Sequence, residues 1–291
     1  MKQITFSFTL LLIITCTLMG CKASSTKTAA TVDSLQAKGA DTLVVDSISY
    51  KMEQDSTLSC QITVDYPTEP DSLSLSVRNY ISQELWNQYL PIINDEANAK
   101  KYPKYNSSLT KGKDLVDFYG KGTFSYLQQE YHNMKESVED NHFNPQLFYE
   151  VHIKKTAETD SYLTYHISTY AYLAGAHGSA TDYHVNINKD NKKILTDIID
   201  KQKLKEIQPI LRKGILQYLN KEAEEKLSDY LFIENGIIPL PSHTPYLAKD
   251  GVHFIYQQYE IGPYAMGMVQ FTVPYKEITP FLTTEAQKLI K

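Results

Sequence analysis

Hydrophobic and polar residues alternate along most of the chain, and the period of the alternation changes several times. Two runs rich in Val, Ile, Thr and Tyr, at 43–52 and 58–67, have a period of two residues and are separated by a short polar stretch. This pattern predicts a β-hairpin. From Ser72 to Tyr89 apolar residues recur every three or four positions, which predicts an amphipathic helix with Ser72 as its N-cap and Pro91 just past its end.

The middle of the chain combines a loop, a second helix and three strands. Residues 91–111 are polar and contain two prolines, which predicts a surface loop. A helical pattern then begins at Asp114, and Gly120 and Gly122 predict a break near its first turns. Three runs with a period of two follow and predict an antiparallel meander. These runs are 146–156, 161–175 and 180–190.

The last third of the chain returns from helical to strand-like patterns. A helix with Pro209 in its first turn and a further short helix at 225–230 are predicted. Three strand-like runs and a short helical piece from Thr284 follow, the runs being 231–240, 251–261 and 266–275. Helices grouped between antiparallel strands are typical of an α+β fold. We therefore expect antiparallel β-sheets with helices packed on one face, in two sequential subdomains.

The first twenty residues have the composition of a secretory signal peptide. Lys2 precedes an almost uncharged apolar stretch, and Gly20 stands directly before Cys21. The tetrapeptide at 18–21 resembles the bacterial lipobox, in which the cysteine receives a lipid and becomes the mature N-terminus. We therefore expect a signal peptide over 1–20 and a lipid on Cys21 that anchors the protein to a membrane of the cell envelope.

Residues 21–42 are expected to form a flexible linker. They are mostly Ala, Ser, Thr and Lys, with too few apolar groups to compensate the entropy of ordering. Lys22 stands where an aspartate would retain a lipoprotein in the inner membrane, which favours the outer membrane. Five Asp-Ser or Asp-Thr tripeptides between Asp33 and Leu73 resemble the acceptor motif for periplasmic O-glycosylation, so a glycosylated stalk is a hypothesis.

Cysteine content and charge narrow the possible partners and cross-links. Cys16 leaves with the signal peptide and Cys21 is lipidated, so Cys60 has no disulfide partner and is expected to be buried as a small hydrophobe. The formal net charge of −5 does not favour nucleic acid or an anionic lipid surface as a partner.

Three segments, taken in order, resemble the envelope family called domain of unknown function 3298. They are AYLAGAHG at 171–178, a segment at 186–199, and a segment at 250–282 that contains YEIGPYAMG. This domain is usually preceded by the partner domain 4163. The resemblance therefore implies a 4163-like domain at 43–178, a 3298-like domain at 179–283 and a C-terminal tail at 284–291.

Members of the family include the extracellular part of the lysozyme-sensing anti-sigma factor RsiV and a non-catalytic part of a peptidoglycan deacetylase. The present sequence contains no deacetylase motif. The resemblance implies an extracytoplasmic module that recognises a protein, such as a lysozyme-like hydrolase, or a fragment of the cell wall.

His177, which stands between Gly175 and Gly178, is the first candidate for a functional residue. We interpret this stretch as a tight connection between two strands, in which the glycines supply positive φ angles. The sequence has no HExxH, HxH, CxxC or GxSxG motif, so no catalytic residue, metal ligand or cofactor is predicted. The remaining strand histidines are expected to pack at a sheet face; they are His152, His166 and His184.

The segment YEIGPYAMG contains further candidates. Its Gly-Pro pair interrupts a strand, which would bring Tyr259, Glu260 and Tyr264 into one exposed polar aromatic patch. Tyr172 and His177 complete the predicted binding residues. The chain has 22 tyrosines, a side chain well suited to protein and glycan surfaces. The other interpretation is a bent hairpin whose tyrosines belong to the core.

Two other functions stay open. One is an enzyme acting on the cell wall, in which His177 pairs with Glu260 or Asp182 as acid or base. The other is a structural envelope lipoprotein, whose surface would carry neither a sizeable pocket nor a contiguous aromatic patch.

Overall fold

The structure, a computed structural model, describes residues 42–93, 101–138, 143–222, 226–233 and 235–291. The predicted signal peptide, the lipidated Cys21 and almost all of the predicted linker lie outside these residues. Two hydrophobic cores, each lined by a β-sheet and by helices, make up the described part of the chain.

Five strands form the first sheet, in the order β1-β2-β3-β4-β5. They are β1 (Val45–Gln54), β2 (Leu58–Pro67), β3 (Leu147–Glu158), β4 (Tyr162–Leu173) and β5 (Ser179–Asn188). The predicted hairpin of β1 and β2 and the predicted meander of β3 to β5 are both confirmed. One pair departs from the antiparallel expectation, because β2 and β3 run parallel. A parallel pair needs a long crossover connection, and two helices provide it here.

The crossover consists of α1 (Ser72–Ile93) and α2 (Gly112–Ser137), which pack on one face of the sheet. The N-cap of α1 is Asp71 and not Ser72, because the Asp71 carboxylate accepts hydrogen bonds from the backbone N–H groups of Leu73 at 2.8 Å and Ser74 at 2.9 Å. The helix also continues through Pro91 to its end at Ile93. Proline has no backbone N–H, so it removes one intrahelical hydrogen bond. Because this bond is in the last turn, its loss costs the helix little stability.

The break predicted in α2 is absent, since the helix runs without interruption across both of its interior glycines. A Cβ atom on Gly120 would overlap the ring of Tyr50, and one on Gly122 would lie 2.5 Å from the Tyr89 hydroxyl. Glycine costs a helix about 1 kcal/mol relative to alanine, and the burial of large tyrosine rings in the vacated space offsets that cost. The two glycines therefore serve packing.

Cys60 is buried, as predicted, at the centre of the first core. Its Sγ lies 3.8 Å from the carbonyl oxygen of Gly120, and burial raises the pKa of the thiol to about 12. A thiol in this state is a poor nucleophile, so Cys60 has a structural and not a chemical role.

Three short antiparallel strands form the second sheet: β6 (Tyr246–Leu247), β7 (Val252–Tyr256) and β8 (Val269–Val273). The second core is completed by α3 (Gln208–Tyr218), α4 (Tyr275–Ile278) and α5 (Thr284–Leu289). Pro209 lies in the first turn of α3, as predicted. The residues expected to form a tail thus include α5, whose Ala286 and Leu289 are buried in the second core.

The predicted strand at 231–240 is wrong, since none of its described residues is in a strand. Asn235 and Gly236 adopt positive φ angles and turn the chain there. The backbone of Ile238 forms hydrogen bonds with a side chain and not with a neighbouring strand. Its N–H donates to Gln208 Oε1 at 2.8 Å and its carbonyl accepts from Gln208 Nε2 at 2.9 Å.

Side-chain amides also join the two sheets. Asn186 on β5 accepts from the N–H of Leu247 at 2.6 Å and donates to its carbonyl at 3.0 Å. Gln257, just after β7, pairs in the same way with the backbone of Asp182, at 3.0 and 2.7 Å. Because β5 and β6 are both edge strands, these amides satisfy backbone groups that no further strand covers: Gln257 bonds the backbone of β5, and Asn186 bonds the backbone of β6.

The architecture is therefore α+β, as predicted. The expected domain boundary at 178/179 falls in the connection between β4 and β5, and β5 pairs with β4 in the first sheet. Across the part of the chain that the structure describes, no helix has both the length and the apolar composition needed to cross a bilayer.

Candidate functional site

The face of the first sheet opposite the helices is polar. Side chains alternate between the two faces of a strand, so the residues next to each core position point away from the helices. On β4 this outer face carries His166, Ser168 and Tyr170, and on β5 it carries Asp182 and His184. All five side chains are half-buried or exposed. This surface meets the connection between β7 and β8 along the edge strand β5.

His177 is exposed in the connection between β4 and β5. Its ring stacks on Tyr264 with centroids 4.0 Å apart and an interplanar angle of 25°. Its Nε2 lies 3.2 Å from the hydroxyl of Tyr259, and its Nδ1 lies 2.9 Å from the carbonyl oxygen of Gly178. These contacts fix the imidazole between two tyrosines that stand more than eighty positions further along the chain.

The interpretation of this connection as a glycine turn is wrong in one respect. The positive φ, 57°, belongs to Ala174, and neither Gly175 nor Gly178 has one. Gly178 is required for a different reason, since a Cβ atom there would overlap the ring of Tyr170. The absence of a side chain lets the tyrosine ring lie directly on the backbone.

The connection between β7 and β8 positions the two tyrosines. Tyr259 has a φ of 65° and a side chain that is 56% exposed. Tyr264 begins a 3-10 turn, Tyr264–Met266, and its hydroxyl donates to the carbonyl oxygen of Gly178 at 3.0 Å. The two rings lie 5.6 Å apart. Tyr259, which is exposed, and Tyr264, which is half-buried, are thus neighbours, and they are two of the three residues of the predicted patch.

Glu260 does not join this surface group. Its carboxylate accepts hydrogen bonds from the backbone N–H groups of Gln257 and Ser242, and so holds the turn after β7 together. Tyr172 also lies elsewhere, stacked on Phe148 at a centroid distance of 6.3 Å. Both residues were predicted to bind a ligand, and their contacts in the structure are with backbone N–H groups for Glu260 and with Phe148 for Tyr172.

Tyr170 is a member of the group that the sequence reasoning missed. It is 43% exposed, and its ring lies against Gly178. The two-residue period of β4 places it on the outer face with His166, which is a signal that the sequence contains. We call Tyr170, His177, Tyr259 and Tyr264 the aromatic patch.

The acid–base pair of the enzyme hypothesis is not assembled. Asp182 Oδ2 lies 3.0 Å from His166 Nε2, and Glu260 is engaged by backbone amides. Within the described residues, His177 has hydrogen bonds to Gly178 and Tyr259 and to no carboxylate. The geometry therefore offers His177 no group to complete a general acid–base pair.

A second cluster lies on the same face, nearer the joint between the sheets. His166 and His184 are direct cross-strand partners, and their rings stack at 4.3 Å with an interplanar angle of 16°. Asp182 stands two residues before His184 on the same strand. The strand histidines lie on a sheet face, as expected. The proximity of His166 to Asp182 and His184 depends on the register of β4 and β5, which periodicity alone does not give.

His184 has an unusual environment within this cluster. Burial, reinforced by the neighbouring His166, lowers the pKa of His184 to about 4, so the ring is neutral at neutral pH. Its other face stacks on Tyr246 of β6 at 4.0 Å. Its Nδ1 is buried and has no hydrogen-bond partner among the residues that the structure describes.

Comparison with known proteins supports the resemblance for the second half of the chain. Residues 190–276 match the model of the family described as protein of unknown function DUF3298. No match was found among curated proteins. The 4163-like identity of the region before residue 190 stays a prediction.

Two solved structures are similar to the whole described fold. A member of the DUF3298 family from Bacteroides fragilis NCTC 9343 is 21% identical, with a TM-score of 0.63, and the match covers 87% of this chain and 99% of the other. A DUF3298 family protein from Pseudomonas aeruginosa PAO1 is 14% identical, with a TM-score of 0.54, and the match covers 85% and 97% of the two chains. The chain thus has the fold of solved DUF3298 proteins, and its residues 190–276 match the model of that family.

Proposed function

We propose that this chain is a lipid-anchored recognition module of the cell envelope, and that the aromatic patch is its ligand-binding surface. The lipid on Cys21 tethers it to the outer membrane, and the linker that follows allows the folded part to reach its ligand. The ligand is a protein, such as a lysozyme-like hydrolase, or a peptidoglycan fragment.

The exposed aromatic patch is the observation that carries this proposal. Tyrosine offers a large apolar face and a hydroxyl, and it loses little conformational entropy on binding because it has few rotatable bonds. Here stacking and hydrogen bonds already hold His177 and Tyr264 in place. A surface prepared in this way loses less free energy to ordering when a ligand binds.

The chemistry of the patch fits the proposed ligands. Its side chains are aromatic groups with hydroxyl and imidazole donors and acceptors, and they are exposed or half-buried. Such groups stack on the apolar faces of sugar rings and pack against protein side chains, and tyrosine is enriched among the residues that dominate binding energies.

Calorimetric titration of the full chain, purified in detergent, tests the proposal. Lysozymes and soluble muropeptides are the two sets of ligands, and Tyr259→Ala is the informative variant because Tyr259 is the most exposed tyrosine of the patch. We expect this variant to bind at least about tenfold more weakly than the wild type, since truncation of a hot-spot residue costs about 2 kcal/mol or more.

Phe232→Ala is the matched control, because Phe232 is also an exposed aromatic residue, at 65%, but lies outside the patch. It should bind like the wild type. If no ligand gives heat of binding, the proposal that lysozymes or muropeptides are the ligands is wrong, and the structural-lipoprotein hypothesis is favoured. Equal losses in both variants would show that the patch is not the binding surface.

The anchor is tested separately by Cys21→Ser. Wild-type protein should incorporate labelled palmitate and sediment with the outer membrane, whereas the variant should do neither. Palmitate label in the variant, or its retention in the membrane fraction, would contradict lipidation at Cys21 without bearing on the aromatic patch.

A further inference from the structure

Three potential metal ligands converge where the first sheet meets the second. His166 and His184 are opposite each other on β4 and β5, and Asp182 is two positions from His184, so all three side chains project from the outer face. One ligand atom from each residue can be chosen such that all three lie within 4.8 Å of one another. In the described part of the chain this is the one such group of His, Cys, Asp and Glu residues.

We propose that His166, Asp182 and His184 bind a divalent transition-metal ion, with Zn²⁺ as the ion of best fit. Two imidazoles and one carboxylate are a ligand set that zinc accepts, and three protein ligands leave a position for water or a further ligand. This site is separate from the aromatic patch, and the inference does not depend on what that patch binds.

The distances are compatible with coordination after a small rearrangement. Zinc bonds of about 2.0–2.1 Å in tetrahedral geometry place ligand atoms about 3.3 Å apart, so the three side chains need to close by roughly 1.5 Å or less. His166 and Asp182 have room to do so, since their side chains are 25% and 37% exposed. The hydrogen bond between them, 3.0 Å long, shows that they already face each other.

The state of His184 supports the assignment independently. A buried ring nitrogen without a partner is rare in folded proteins and calls for an explanation such as an ion or an ordered water. The stack on Tyr246 restrains the ring at the site.

Two contacts join the ligand-bearing strand β5 to the region of the second sheet. The ring of His184 stacks on Tyr246, whose hydroxyl bonds to His253 Nδ1 at 3.1 Å, and His253 Nε2 bonds to Asp250 at 2.7 Å. The backbone of Asp182 is held by Gln257. An ion bound by His166, Asp182 and His184 would therefore stabilise the contact between the two sheets.

Zinc titration of the full chain tests the inference. The protein is produced without a histidine tag, stripped with a chelator, and titrated with Zn²⁺ against a fluorescent competitor. We expect stoichiometric binding and a Zn²⁺-dependent rise in the unfolding temperature. His166→Gln and His184→Gln should each weaken binding at least about tenfold and abolish that rise.

His132→Gln is the control, because His132 is an exposed histidine on α2 outside the cluster. It should bind Zn²⁺ like the wild type. Because His184 is half-buried, circular dichroism must show that each variant is folded, and Asp182→Asn replaces His184→Gln if the latter is not. Equal Zn²⁺ affinity in the wild type and the cluster variants, or no binding by the wild type, would overturn the assignment.

Discussion

Glu158 shows how a single buried charge connects distant parts of the chain. Its carboxylate, with a side chain only 12% exposed, contacts the ammonium groups of Lys155 at 2.5 Å and Lys189 at 2.7 Å. It also accepts hydrogen bonds from the backbone N–H of Leu43. The start of the folded part, the end of β3 and the residue after β5 therefore meet at one side chain. A charge with this many partners stabilises the fold only while it stays ionised.

Replacement of Glu158 by glutamine should reveal this contribution as a pH dependence. Burial raises the pKa of the Glu158 carboxyl, but the hydrogen bonds from Lys155, Lys189 and Leu43 outweigh burial and lower the pKa overall. The stabilisation is therefore complete above the unfolded value of about 4.3 and is lost as the pH falls through the lower folded value. We expect Glu158→Gln to lose about 2 kcal/mol of unfolding free energy at neutral pH.

Urea unfolding of both proteins across the acid range measures the effect. The difference between wild type and Glu158→Gln should shrink as the pH falls below about 4, since both then carry a neutral side chain. Glu53→Gln is the control, because Glu53 pairs with Lys51 at a site where both side chains are 59% exposed, and such pairs contribute little. A difference that is constant with pH would contradict the assignment of the stabilisation to the charge.

At the scale of secondary structure elements, periodicity identified most strands and helices but not their partners. The first five strands and the three longest helices follow the predicted patterns because their buried faces repeat regularly. The run 231–240 has the apolar content of a strand, yet its backbone at Ile238 is paired by Gln208 from α3. Apolar composition indicates that a segment is buried, but it does not indicate which groups form hydrogen bonds with the backbone of that segment.

The candidate site was predictable to a similar extent. The sequence pointed to His177, Tyr259 and Tyr264, and the structure brings these three together. The histidine cluster was not predictable, because the contact of His166 with His184 depends on the register of two strands. A shift of one residue would have placed one of the two rings on the opposite face.

The glycines of α2 give a test of how elements pack. Gly120→Ala removes a helix-weakening residue, and in isolation that change would stabilise the helix by about 1 kcal/mol. In the folded chain the added methyl group overlaps the ring of Tyr50, a buried residue of β1. Overpacking of a core costs about 1–3 kcal/mol, so after subtraction of the gain in helix propensity we expect a net loss of stability of up to about 2 kcal/mol.

Thermal or urea unfolding of Gly120→Ala decides between the two effects. Lys121→Ala, at the next and exposed position, is the matched control and should change stability by less than about 0.5 kcal/mol. If Gly120→Ala proves more stable than the wild type, helix propensity dominates, and the close approach of Tyr50 to α2 is not a constraint on this position.

At the scale of the whole molecule, side-chain amides replace strand pairing as the connection between the two sheets. Asn186 bonds both backbone groups of Leu247 and also donates to the Thr164 hydroxyl at 3.0 Å, and its side chain is almost completely buried. Gln257 makes the equivalent pair with Asp182. These amides set the position of the second sheet against β5, and the aromatic patch has residues on both sides of that contact. Sequence patterns do not contain such long-range pairs, which is why the patch could not be assembled from periodicity.

Asn186→Ala should therefore weaken the joint itself. The substitution leaves the N–H and carbonyl groups of Leu247 buried without partners, and each such group costs about 1–3 kcal/mol. We expect a loss of about 2–4 kcal/mol and faster amide exchange at Leu247. Asn87→Ala, at an exposed position on α1 whose side chain bonds, among the described residues, to Gln83 alone, should be nearly neutral in both measurements. The loss of two buried hydrogen bonds must change either the amide exchange at Leu247 or the free energy of unfolding. If neither changes, other contacts hold the two sheets together.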